Sequence, residues 1–332
     1  MRLTELRTPC LLVDSQALAH NLAQMAASLP GERLRPHVKA HKCTALAHRQ
    51  AEAGHKGFTC ATIRECEGLA AAGLGADLLL ANEVLDARRL GALVEAGHRV
   101  TVSVDSTQTI EAAAAGGVRE VVIDVNVGLP RCGCDPAEAA TLASLARSKG
   151  LAVRGVQGYE GHVVGLEDGE ERAAGCLKAM KLLTEAHGAV GGELITAGGT
   201  GTFALNAWAT EIQAGTYVLM DSAYGKLGLP FRQAVFVLTT VISTNFGGGW
   251  SVVDAGLKAF GMDHGNPSIE DSSVWFCSDE HTTFAPPRQV GDRALMIPAH
   301  LDPTVAYHEE IHLADFSRAE VLETWPIDLR GW

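Results

Sequence analysis

The chain has 332 residues, 47% hydrophobic and 20% charged, with a net charge of −12. That length predicts one large domain plus a smaller one, and the acidic balance argues against a nucleic-acid surface. No apolar run approaches the roughly 18 residues of a membrane span.

In chain order, Met1–Pro9 lacks the apolar stretch of a signal peptide, and Ser15–Ser28 reads as a helix. Strand and helix patterns then alternate. Leu34–Val38, Phe58–Cys60, Asp77–Ala81, Arg99–Val104, Glu120–Val125, Val153–Gln157, Glu193–Ala197 and Thr210–Leu219 read as strands. Thr44–Ala53, Ile63–Ala72, Asp86–Ala96, Thr107–Ala115, Ala137–Ser148 and Glu170–Ala186 read as helices, several of them followed by glycine. The alternation favours an α/β fold, a (β/α)8 TIM-like barrel, with a doubly wound open sheet as the competing arrangement. After about Gly225 helical patterns fade. Phe231–Thr244, Trp250–Ala255 and Arg293–Ile297 read as strands of a second, mainly β domain. The expected division is a barrel over 10–225 and a β-rich domain over 226–332, joined by about residues 1–9. The eight cysteines form no compact framework, so reduced thiols in a cytoplasmic setting are expected. Cys132-Gly133-Cys134 has no matching pair with which to complete a thiolate metal site.

Lys39 ends the first strand in Arg35-Pro36-His37-Val38-Lys39-Ala40-His41-Lys42. If the strand continues, His37, Lys39 and His41 share a face. Nearby positive charge and desolvation would then favour a neutral amine able to attack an aldehyde. A solvated basic cluster is the competing reading, and Lys42 is the rival lysine. Arg131 lies in the loop after the fifth strand, Tyr159 ends the sixth, and Gly198-Gly199-Thr200-Gly201-Thr202 follows the seventh. In a barrel all of these face one mouth. The glycine loop offers amides to a phosphate where strand gives way to helix, or it is an ordinary tight turn. Arg131 can hydrogen-bond a phenolate oxygen, Tyr159 can pack on a flat ring, and Tyr217 can reach a phosphate; each can equally be a packing residue. His300 and Asp302, if extended, share a face and can hold a divalent ion. His308, Glu309 and His312 read first as surface groups. A lysine amine, a phosphate loop and a metal pair together point to pyridoxal 5'-phosphate (PLP).

The chain resembles the fold-type III PLP enzymes of the D-threonine aldolase and D-serine dehydratase family, which have an alanine racemase-like barrel. The resemblance rests on Thr8-Pro9-Cys10-Leu11-Leu12-Val13-Asp14, on the Lys39 and glycine-loop motifs, and on Gly215-Thr216-Tyr217. It rests further on Val253-Asp254-Ala255-Gly256-Leu257-Lys258 and His300-Leu301-Asp302-Pro303. It implies that Lys39 carries PLP as a Schiff base, with Arg131 near the cofactor oxygen and Tyr159 beside the ring; His37, on the face expected to be shared with Lys39, is a further candidate cofactor-binding residue. Gly199, Thr200, Gly201, Thr202 and Tyr217 fall at the phosphate, and His300 and Asp302 hold Mn²⁺, Mg²⁺ or Zn²⁺. Family aldolases carry a histidine a few residues beyond the tyrosine. Here His162 follows after only three: either it replaces that base or the substrate and reaction differ, and a metal-bound hydroxide is the other candidate base.

The resemblance also implies a homodimer acting on a small amino acid, with no nucleic-acid or membrane partner. The dehydratase branch typically has cysteine where this chain has Asp302, which tilts the expectation toward retro-aldol cleavage of β-hydroxy-D-amino acids to glycine and an aldehyde. A dehydratase giving a 2-oxo acid and ammonia is the alternative, followed by a PLP-binding protein without turnover.

Overall fold

Seven strands pair in chain order, every neighbour parallel: Phe58–Cys60, Leu78–Leu80, Val100–Val104, Glu120–Asp124, Ala152–Gly158, Leu194–Ala197 and Glu211–Ile212. The computed structural model describes residues 1–332. Segment 34–37 bridges both edges of this sheet, Leu34 to Ile212 and His37 to Thr59. The Arg35 amide donates to the Ile212 carbonyl at 2.9 Å, and the Thr59 amide donates to the Pro36 carbonyl at 2.9 Å. The sheet therefore closes into a barrel, and the open doubly wound arrangement is set aside. Pro36 has no amide to give, which accounts for bridges rather than a regular strand at the seam.

Side-chain signals readable in the sequence start the helices. The Thr62 hydroxyl accepts from the Glu65 amide at 3.2 Å while the Glu65 carboxylate accepts from the Thr62 amide at 3.3 Å, opening helix Ile63–Ala71. Ser106 opens Thr107–Ala115 in the same way, and Asp168 opens Gly169–Val190.

A charged clasp closes the N-terminal end of the barrel. Arg35 donates to Glu211 and to Asp77, each at 2.8 Å, and Arg154 donates to Asp77 at 3.1 Å and Glu193 at 2.9 Å. Burial alone would raise the Asp77 carboxyl, but Arg35 and Arg154 hold it below its ordinary value.

Contacts divide the chain into two units. The barrel unit comprises Met25–Lys39, Leu46–Gly215 and Leu329–Trp332; the second comprises Met1–Gln24, Ala40–Ala45 and Thr216–Asp328. The second unit is built on a nine-stranded sheet. Its centre includes Cys10–Asp14, antiparallel to Val235–Asn245 and parallel to Glu310–Asp315. Leu11, Leu12 and Val13 are fully buried there. The sequence reading has no strand before residue 34. A five-residue apolar run without alternation does not distinguish strand from buried helix, and only the pairing partners more than 200 residues away settle it.

Candidate active site

In the barrel unit, three groups named from the sequence sit at the C-terminal ends of consecutive strands. Arg131 follows Glu120–Asp124, Tyr159 follows Ala152–Gly158, and Gly198–Thr202 follows Leu194–Ala197. The Arg131 guanidinium lies over the Tyr159 ring, 5.2 Å from its centroid. A methyl built on Gly199 would make ordinary van der Waals contact with the edge of that ring at 3.6 Å and with a Val164 methyl at 3.4 Å, so the loop backbone runs alongside the ring.

The glycine loop is held from below by Glu160, a residue the sequence reading passes over. Its carboxylate is fully buried and accepts from the Thr202 hydroxyl at 2.7 Å and the Gly198 amide at 3.2 Å. Burial pushes the Glu160 carboxyl up, against the pull of Thr202 and the backbone amides. The Gly199 amide donates to the Thr202 hydroxyl at 3.2 Å. One loop amide thus bonds to Glu160 and one within the loop. No α-helix follows it; residues 200–205 form turns, so the expected helix-dipole contribution is withdrawn. At Gly201 a Cβ would overlap the Val164 carbonyl oxygen, and Gly198 has φ +82°. Both positions need glycine for close approach or for left-handed backbone.

Lys39 is half-buried, in a single 3₁₀ turn, Val38–Ala40, rather than on a strand. The face shared by strand alternation therefore does not extend past His37. Instead the Lys39 amide donates to His37 Nδ1 at 3.4 Å, turning that ring toward the lysine backbone. His41 is fully buried, and its Nδ1 accepts from the Cys43 amide at 3.2 Å. Lys42, the rival lysine, takes a left-handed φ of 48°. His162 is exposed, in the turn after Tyr159, with its ring against Gly128.

Deeper in the mouth, Gln157 donates to Asp124 at 3.2 Å, and Gln213 donates to Gln157 at 3.1 Å and to Thr196 at 2.9 Å. Burial first, and then the Glu83 carboxylate, raise the Asp124 carboxyl well above its usual range. Burial also pushes Cys132 up to about 11 and Cys134 up to about 12.

In the second unit, Tyr217 lies in the 3₁₀ turn Thr216–Val218, where a strand Thr210–Leu219 is expected; only Glu211–Ile212 is extended. Its ring is fully buried and packs tilted against Phe231, centroids 5.6 Å apart. His300 is extended, but Leu301 begins the helix Leu301–Tyr307 and Asp302 lies in its first turn. A strand-to-helix corner, not a continuous strand, sets the relation of the proposed pair. The Leu301 amide donates to Asp221 at 2.9 Å. Burial raises the Asp221 carboxyl, and hydrogen bonds from the Tyr224 and Leu301 amides oppose that rise. Asp263 and His264 join His300 in a group of potential ligand atoms within 4.8 Å of one another. They stand 37 and 36 residues before His300 in a polar turn, which carries no spacing signal. His308 bonds the Ala259 carbonyl at 3.0 Å and His312 the Thr324 hydroxyl at 2.9 Å.

These residues fit the groups the sequence suggests. The amine of Lys39 suits an aldehyde, the guanidinium of Arg131 suits a phenolate oxygen, and the imidazole and carboxylate of His300 and Asp302 are a donor set for Mn²⁺, Zn²⁺ or Mg²⁺.

Residues 13–223 match the family described as alanine racemase, N-terminal domain, and residues 234–314 match a putative serine dehydratase domain. A 3-hydroxy-D-aspartate aldolase of Paracoccus denitrificans (strain Pd 1222) is 31% identical over 99% of this chain and 93% of its own length. A D-threo-3-hydroxyaspartate dehydratase of Delftia sp. (strain HT23) is 32% identical over 79% of this chain and 75% of its own. The crystal structure of D-threonine aldolase from Filomicrobium marinum superposes with a TM-score of 0.92 at 32% identity, covering 100% of this chain and 98% of that one. No helix is long and apolar enough to cross a membrane.

Proposed function

This chain belongs to the family of the alanine racemase N-terminal domain, here followed by a serine dehydratase-type domain, and from that membership we propose a PLP- and divalent-metal-dependent lyase. The reaction is retro-aldol cleavage of a β-hydroxy-D-amino acid to glycine and an aldehyde. The observation that carries the choice of cleavage over dehydration is Asp302, two residues after His300.

When bound, PLP delocalises the electron pair left at Cα and the divalent ion acidifies the β-hydroxyl. Lys39 holds the cofactor through its amine. Tyr159 offers the ring face, and Arg131, stacked over that ring, offers the donors for the cofactor's phenolate oxygen. Gly199 to Thr202, tensioned from behind by Glu160, take the phosphate end, with Tyr217 as a further phosphate residue. His37 sets the backbone of Lys39 through the hydrogen bond from its amide. His300 and Asp302 hold the ion. His162, exposed beside Gly128, accepts the proton that the β-hydroxyl releases.

Two copies associate in this reading. In the second unit Trp275 and Phe276 are 48% and 56% exposed, with Trp275 against Trp250 at 5.9 Å. Light scattering at the mass of two chains supports the dimer, and one chain alone removes it.

The test is product analysis. PLP-loaded protein with Mn²⁺ and D-threonine gives glycine and acetaldehyde, the L-isomer gives neither, and chelator stops the reaction. A 2-oxo acid with ammonia instead marks a dehydratase. No product from a panel of β-hydroxy-D-amino acids overturns both.

A further inference from the structure

We propose that Asp263 and His264 are positioning residues for the metal centre: Asp263 fixes the tautomer and rotation of the His300 ring, and His264 fixes its plane. The inference rests on the reading of His300 as a metal ligand. It differs from the simpler view that all three residues coordinate one ion.

Local structure brings the pieces together. Gly261 forms an antiparallel bridge with His300. The Gly261 amide donates to the Thr304 hydroxyl at 2.9 Å, and that hydroxyl donates to the His300 carbonyl at 2.7 Å. A Cβ at Gly261 would overlap Pro303, so only glycine permits this approach. The pinned turn carries Asp263 and His264 to the imidazole two and three residues later.

The geometry then assigns roles. Asp263 Oδ2 lies 2.6 Å from His300 Nδ1. An ionised carboxylate only accepts, so Nδ1 carries the proton, and in the neutral ring that binds a metal Nε2 is the lone-pair nitrogen. A ligand histidine whose other nitrogen donates to a carboxylate is held in one tautomer and made more basic. The His264 and His300 rings are stacked, 4.1 Å apart and 6° from parallel. Lone pairs in the planes of two parallel stacked rings run side by side and do not converge on one ion. In this arrangement one ring is the ligand and the other its support. His300 has the carboxylate partner, so His264 is the support.

The experiment is Mn²⁺ binding to the PLP-loaded protein by equilibrium dialysis, with thermal stability and the cofactor absorbance band followed alongside. Asp263→Ala weakens binding by about 10–100-fold, the usual consequence of removing such a partner. Asp263→Asn, which can still accept from Nδ1, falls between wild type and Ala. His264→Phe keeps the stack and binds like wild type, while His300→Ala abolishes binding. Unchanged affinity in Asp263→Ala, with His300→Ala still deficient, overturns the inference and leaves the proposed function standing. His264→Phe as deficient as His300→Ala also overturns it, because His264 is then a ligand. If the wild-type protein binds no Mn²⁺, the metal reading fails and this inference fails with it.

Discussion

The Glu160 carboxylate holds the Thr202 hydroxyl at 2.7 Å and the Gly198 amide at 3.2 Å, so one buried acid ties both ends of the glycine loop to the residue after Tyr159. In Glu160→Ala both donors lose their buried acceptor. An unsatisfied buried polar group costs about 1–3 kcal/mol. Urea unfolding of Glu160→Ala will show a loss of that order, and PLP will dialyse away faster than from wild type. Stability and cofactor retention equal to wild type would remove Glu160 from the account.

Gly201 gives a local test of the phosphate assignment. A Cβ there overlaps the Val164 carbonyl oxygen, whereas a Cβ at Gly165 meets nothing within 4 Å. Gly201→Ala therefore shifts the loop and lowers PLP affinity, read as fluorescence quenching on titration. Gly165→Ala serves as the control and leaves affinity unchanged.

The barrel seam is acid-sensitive. Asp77, held low by Arg35 and Arg154 despite its burial, stays charged when folded at a pH where the unfolded chain takes up a proton near 3.8. Its contribution is fully present above that unfolded value and is lost as pH falls through the lower, folded one. The urea midpoint will fall between pH 6 and pH 3. Arg35→Met removes the cation shared by Glu211 and Asp77, leaving Asp77 to Arg154, and costs about 3–5 kcal/mol at pH 7, the range for removing one partner of a buried pair. Its midpoint will depend less on acid. An equal acid dependence in wild type and variant would contradict the assignment.

The barrel was legible because local signals and period agree along it. Thr62 with Glu65, Ser106 and Asp168 open helices, and apolar runs such as Val100–Val104 fall between them. The order of Arg131, Tyr159 and the glycine loop along the strands followed from that alternation. What failed depended on distant partners or on one residue's backbone. Cys10–Asp14 becomes a strand only through Val235–Asn245 and Glu310–Asp315. The chain makes only isolated bridges at Leu34 and His37 and then enters a 3₁₀ turn, so alternation misplaces Lys39 and His41. Asp263 and His264 reach His300 through a bridge at Gly261 that no sequence pattern marks.

The most direct test of the account is covalent. The PLP-loaded protein is reduced with borohydride, digested and mapped by mass spectrometry. The account predicts the pyridoxyl label on Lys39, and its loss in Lys39→Ala. A label on Lys42 or elsewhere, or none in fully loaded protein, would contradict it.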